Sequence, residues 1–282
     1  MKHKSIILVG GPETGKSNYV ARLWCSLKAG RGMLQRAGLP ENLEYIDSIC
    51  EHLFQGKFIG RTDTNLARQD FRVPLKLGAD SEPTTLLVPD FTGELWRDAI
   101  KHSEIAAEWL EQLETANGAL LFVRVHSPRN VQPLDWVTSR DLLKKIGQGN
   151  EDIELPTQVV LCELLSLLQA RLSRRADGGR PRVAVIVTAW DRLNPEEQNA
   201  GPEVFLSEQF PLFFGALHDA DKVDIRTYGV TIVGGDLDND PVFRQENRKK
   251  SIEDCGWVSL NREGIVSVDA DITIPVAWAI GD

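Results

Sequence analysis

Eight residues near the start of the chain, Gly10-Gly11-Pro12-Glu13-Thr14-Gly15-Lys16-Ser17, match the pattern G-x-x-x-x-G-K-S. Such a turn suits phosphate when it lies between a strand and a helix. Successive backbone N–H groups then face phosphate oxygens, and the helix N-terminus adds partial positive charge. Gly10 and Gly15 permit the tight path, and Pro12 stiffens it. Lys16 would reach the β- and γ-phosphates and the Ser17 hydroxyl would bind Mg²⁺, with Glu13, Thr14 and Asn18 as further nucleotide contacts. A chance glycine turn is the alternative. The apolar run Ser5–Val9 before it and the helical pattern Ser17–Lys28 after it favour the phosphate reading.

Two more segments follow strand-like runs. Asp90-Phe91-Thr92-Gly93-Glu94 comes just after Thr84–Val88. A carboxylate at Asp90 can join a Mg²⁺ shell, and the Gly93 N–H can face a γ-phosphate. Asp and Gly also close strands as plain turns, so the segment gains meaning from following a phosphate loop. Thr188-Ala189-Trp190-Asp191 comes just after Arg182–Val187. A carboxylate there can accept from the N1 and N2 donors of guanine, which adenine lacks as a pair; an unpaired Asp191 would reject ATP. The alternative is that Asp191 caps the turn at Asn194-Pro195.

In this order the three motifs resemble the translation-factor and Ras-like class of P-loop GTPases, over nearly the whole chain outside the insertions given below. Within that class the chain resembles the bacterial double-GTPase proteins of conflict, or phage-defence, systems. The resemblance implies GTP and GDP as ligands, Mg²⁺ as cofactor, and Lys16, Gly93 and Glu94 as catalytic groups. It implies a base-contacting turn at Thr231-Ile232, where Ile232 replaces a small residue, and a switch threonine between the first two motifs, either Thr62 or Thr64, on the metal with Ser17 and Asp90. Ala189 stands where the class has a lysine packed over the base, and Glu94 where many members have the glutamine that orients water. A carboxylate beside a γ-phosphate adds repulsion, so slow hydrolysis without a partner is expected. Arg61 and Arg68 could offer charge to the γ-phosphate, though arginines on a polar loop are more often solvated.

The elements that must hold these residues alternate. Strand-like runs cover Ser5–Val9, Phe71–Leu77, Thr84–Val88, Ala119–Val125, Arg182–Val187 and Ile225–Ile232. Several are apolar almost throughout, as strands buried on both faces are. Helical spacing marks Ser17–Lys28, Glu41–Phe54, Ser103–Ala116, Thr157–Ala176, Glu203–Leu217 and Pro275–Ile280, and a hairpin is expected from Trp257–Leu260 through Asn261–Gly264. The expected fold is α/β, a three-layer αβα P-loop NTPase of the Ras-like G-domain kind. It has a mostly parallel sheet of about six strands with helices on both faces. Residues 1–282 would form a single G domain, with insertions at about 30–57, 126–155 and 234–268.

Composition narrows the function. Acidic residues exceed basic ones, 41 against 32, for a net charge of −9 in 282 residues. That balance argues against binding nucleic acid by general phosphate neutralisation. Cys25, Cys50, Cys162 and Cys255 are too far apart in sequence for a zinc motif, and fit a reducing cytosol. No apolar run is long enough for a membrane span, so no membrane association and a cytoplasmic location are expected. The expectation is a Mg²⁺-dependent GTP-hydrolysing switch acting through a protein partner or effector, with a nucleotide-dependent dimer as a further option. The alternatives are a nucleotide-binding scaffold with little turnover, and an ATPase or kinase on the same loop.

Overall fold

In the computed structural model of the chain the described residues are 5–59, 71–78, 81, 83–88, 105, 107–132 and 155–281. Their strands are β1 (Ser5–Gly10), β2 (Leu34–Arg36), β3 (Phe71–Leu77), β4 (Thr84–Val88), β5 (Gly118–Arg124), β6 (Arg182–Thr188), β7 (Asp224–Thr231), β8 (Trp257–Arg262) and β9 (Ile265–Asp269). All nine join one sheet in the order β2-β3-β4-β1-β5-β6-β7-β8-β9.

The expectation of about six, mostly parallel strands needs correction. The five strands β4, β1, β5, β6 and β7 pair in parallel. Beyond them every pairing is antiparallel, β2–β3–β4 on one side and β7–β8–β9 on the other. The sheet is therefore mixed. β2 was missed because three residues are too few to display a period. The hairpin was expected, but hydrophobic pattern does not show that it would extend the sheet.

Strand periodicity divides the apolar residues into two cores. Ile6 and Leu8 of β1, Leu120 and Phe122 of β5, and Ala184 and Ile186 of β6 face one side. Their alternates, Ile7 and Val9, Leu121 and Val123, Val185 and Val187, face the other. The first side is covered by α1 (Lys16–Ala29), α2 (Leu43–Phe54) and α9 (Ile274–Ile280). The second is covered by α3 (Ala107–Thr115), α4 (Thr157–Arg171), α6 (Pro202–Gln209) and α7 (Pro211–Asp219). Two short helices, α5 (Pro195–Ala200) and α8 (Pro241–Asn247), lie in the connections. Because both faces are buried, strands such as Arg182–Thr188 are apolar without alternation.

Two helix boundaries depart from the sequence reading. The expected helix Glu203–Leu217 is two helices, broken at Phe210, because Pro211 lacks the N–H and the space to continue the first. The helix from Thr157 stops at Arg171, with Leu172 already extended, short of the glycines expected to end it. Of the segments expected as insertions, 30–57 holds β2 and α2, 234–268 holds α8 and the β8–β9 hairpin, and 126–155 is described only at 126–132 and 155. Among the described residues no helix is long and apolar enough to cross a membrane.

Candidate functional site

β1 delivers the chain to the carboxyl end of the parallel strands, where ligands bind in open α/β sheets. Residues 11–15 turn there into α1. Gly15, at the N-cap, has φ 91°, and a Cβ on it would lie 3.3 Å from the Thr188 hydroxyl. The backbone conformation thus favours glycine, and a side chain there would press on Thr188. No side chain caps α1 and no acid lies in its first turn, so its N–H groups and dipole are left for an anion. Glu13 also adopts a left-handed backbone, φ 57°. Arg124, at the end of β5, holds that turn by donating to the Glu13 carbonyl at 2.9 Å, and Arg129 pairs with the Glu13 carboxylate at 3.4 Å. Sequence reasoning did not single out these arginines. Their signal was position, at and just after the end of the strand beside the phosphate loop.

Lys16 curls over its own loop. Its Nζ donates to the Gly10 and Gly11 carbonyls at 2.7 and 2.6 Å, with the Thr14 hydroxyl at 3.4 Å. Among the described residues no carboxylate pairs with it, and burial lowers its pKa to about 7. A cation desolvated among neutral carbonyls is stabilised by a bound anion. Ser17 follows in the first turn, and its hydroxyl has no partner among the described residues. A hard oxygen donor there fits Mg²⁺. The other expected ligands, Asp90 with Thr62 or Thr64, lie outside the described residues, as do Gly93, Glu94, Arg61 and Arg68. The Asn18 side chain is engaged with the chain itself. It donates to the Ile59 carbonyl at 3.4 Å and accepts from the Ile59 N–H at 2.9 Å.

The segment Thr188–Asp191, expected from the sequence to read the base, adjoins the phosphate loop. The Thr188 hydroxyl, at the end of β6, donates to the Thr14 carbonyl at 2.7 Å. Thr188 thus ties two loops that are 174 residues apart in sequence. Ala189 then takes a left-handed conformation, φ 56°, and Trp190–Arg192 form a single 3₁₀ turn. Trp190 is fully buried, edge-on to Phe205 at 5.8 Å, and lies so close over Gly229 of β7 that any Cβ there would overlap the indole. This packing fixes Asp191 in place. The capping role considered for Asp191 belongs to Asn194, which accepts from the Glu197 N–H at 3.0 Å while Glu197 accepts from the Asn194 N–H at 2.9 Å. Among the described residues no partner engages the Asp191 carboxylate.

Thr231 ends β7 at the same edge, since Thr188 pairs in register with Val230. Its hydroxyl accepts from the Gly234 N–H at 2.9 Å, closing the next turn. The Ile232 side chain packs on the core beneath α1. The structure therefore groups Gly10, Glu13, Thr14, Gly15, Lys16, Ser17, Thr188, Asp191, Thr231 and Ile232 at one edge of the sheet. Among the described residues no three His, Cys, Asp or Glu side chains form a metal cluster.

The profile of the Double-GTPase 1 family matches residues 7–279. The chain belongs to that family. It is accordingly a GTP-binding protein with an α/β fold and a large mixed sheet. Among solved structures it is similar to Roco2 RocCORdC of Methanosarcina barkeri bound to GDP, at 12% identity and TM-score 0.30, over 88% of this chain and 48% of that one. It therefore spans about half the length of that relative. It is also similar to the signal recognition particle receptor SRb-GTP/SRX complex of Chaetomium thermophilum, at 11% identity and TM-score 0.39, over 88% of this chain and 98% of that one. A third is Sup35 complexed with GMPPNP, at 11% identity and TM-score 0.34, over 82% and 37% of the two chains. No curated protein sequence matches this chain.

Proposed function

We propose that this Double-GTPase 1 protein is a Mg²⁺-dependent GTP-hydrolysing switch, built as a single G domain. The observation that carries the reading is the 2.7 Å bond from Thr188 to Thr14, which joins the phosphate loop and the Asp191 turn into one unit. A nucleotide spanning that unit has its phosphates on the N–H groups at the start of α1 and on Lys16. Its guanine N1 and N2 donors meet Asp191, and Thr231-Ile232 line the far side of the base. Ser17, with Asp90 and Thr62 or Thr64, would hold Mg²⁺, which when bound neutralises charge on the phosphates. Gly93 donates its N–H to the γ-phosphate, and Glu94 accepts from the attacking water. The Glu94 carboxylate also repels the γ-phosphate, so turnover by the isolated chain is slow. A partner protein, or a second nucleotide-bound copy, raises it. The reading extends to a cytoplasmic role in a bacterial conflict system.

Glu94 favours one second reading, a nucleotide-dependent scaffold with no significant turnover. Phosphate release from purified protein with saturating GTP and Mg²⁺ separates the two. The switch predicts release on the order of 10⁻⁴ to 10⁻² per second, abolished by Lys16→Ala. Release no faster than that of the variant over many hours would leave only the scaffold.

A further inference from the structure

A group of arginines gathers at the edge of the sheet remote from the phosphate loop. β6 begins there with Arg182 and ends at the nucleotide edge with Thr188, a run of about 20 Å at 3.3 Å per residue. Arg182 and Arg226 both lie over the Trp278 ring, their guanidinium carbons 5.5 and 5.2 Å from its centroid. Arg182 is held in place by donating to the Trp278 and Gly281 carbonyls at 2.7 and 2.5 Å. Burial, and then the neighbouring Arg175 charge, push its pKa below the ordinary value. Arg175 lines a small recess of about 20 Å³, room for one water-sized group such as a single carboxylate oxygen, with Ser5, Thr84, Asn117 and Gly281. Its side chain is 16% exposed and pairs with Asp177 through Nη2 at 3.0 Å, while the buried Nε and Nη1 have no acceptor among the described residues. Arg174 and Arg180 stand exposed on the adjoining turn. Among the described residues, Asp177 is the one carboxylate paired with Arg174, Arg175, Arg180, Arg182 or Arg226.

We propose that this edge is a docking surface for an acidic segment of a partner protein, with one carboxylate anchored at the Arg175 recess and its neighbours facing Arg180, Arg182 and Arg226. Three observations select that occupant. The cations are all guanidinium groups, whose planar fork matches a carboxylate. Arg175 has unsatisfied donors that an entering carboxylate would engage, because buried charged donors without acceptors are costly. The cluster is also local, in a chain of net charge −9. A short acidic segment within about 8–10 Å experiences the cluster alone, whereas a long nucleic acid meets the repulsion of the whole chain. The surface is independent of the nucleotide reading, since no residue is shared.

Fluorescence anisotropy with a labelled Glu/Asp-rich dodecapeptide tests it. The proposal predicts micromolar binding that weakens steeply with salt. Arg180→Glu/Arg226→Glu, both exposed positions, should weaken it at least tenfold while leaving the circular-dichroism spectrum and GTP affinity unchanged. Arg175→Gln should weaken it as well, and Lys16→Ala should leave it intact. Peptide binding indifferent to the charge reversal would overturn the proposal. So would stronger competition from a duplex oligonucleotide of equal charge, or a wild-type dimer in sedimentation that the reversal dissociates, which would make the occupant a second copy of this chain.

Discussion

Lys16 concentrates the phosphate chemistry in one titratable group. In the unfolded chain it titrates at the ordinary 10.5, and in the fold at about 7. Between those values the unfolded chain binds more protons. The residue therefore costs stability below about pH 7, and the cost fades as pH rises toward 10.5. A bound phosphate oxyanion restores the charged form and shifts the balance at the site. At pH 8 the free protein holds Lys16 mostly neutral, and the complex holds it protonated, so nucleotide binding takes up about one proton. Calorimetric titration of GDP in two buffers of different ionisation enthalpy measures this directly. Uptake near pH 8 that shrinks toward pH 6 is expected. An enthalpy identical in both buffers at pH 8 would mean that Lys16 is already charged in the free protein.

At the scale of elements, the proposed guanine specificity would depend on how β7 seats the turn after β6. Trp190 fills the space that Gly229 leaves open, and Asp191 is the next residue. Gly229→Ala introduces a methyl group where the indole lies. Overpacking of this kind costs about 1–3 kcal/mol. The displaced turn should lose guanine preference more than phosphate affinity. The measurement is the GTP-to-ATP affinity ratio together with GDP affinity, and equal losses for all nucleotides would contradict the account. Gly229 and Trp190 show where sequence reading stops. The motif Thr188-Ala189-Trp190-Asp191 was legible because its order and its strand are local patterns. That Trp190 is the residue anchoring it was not, since the contact joins residues 39 apart across two strands. The six strands first read from the sequence were legible for the same local reason, as continuous apolar runs. β2 is too short to show a period, and the break before Pro211 is hidden because apolar residues continue at helical spacing on both sides of it. The pinning of Glu13 by Arg124 and Arg129 is likewise a tertiary fact, visible only once β5 lies beside β1.

Across the whole molecule, the helix that begins at the phosphate loop is secured by side-chain bonds to distant segments of the chain. Arg22 of α1 is fully buried and donates to the Cys255 carbonyl at 3.1 and 2.7 Å and to the Glu253 carbonyl at 3.0 Å. That ties α1 to the 3₁₀ turn Ile252–Asp254, just before β8. Asn18 ties the start of the same helix to Ile59. Net charge also takes on a spatial meaning. The chain is acidic as a whole, yet it gathers basic side chains beside the phosphate loop, as Lys16, Arg124 and Arg129, and again at the Arg175 edge. The central claim is that one unit, joined by Thr188, holds a guanine nucleotide at both ends. Calorimetric titration of GTP and ATP on the wild type and on Asp191→Asn tests it most directly. The account predicts GTP binding at least about 100-fold tighter than ATP, because two guanine donors meet one carboxylate and each charge-assisted bond contributes about 1.5–3 kcal/mol. It also predicts that the variant loses GTP and gains xanthosine triphosphate. ATP binding as tight as GTP, or GTP affinity unchanged by the substitution, would contradict it.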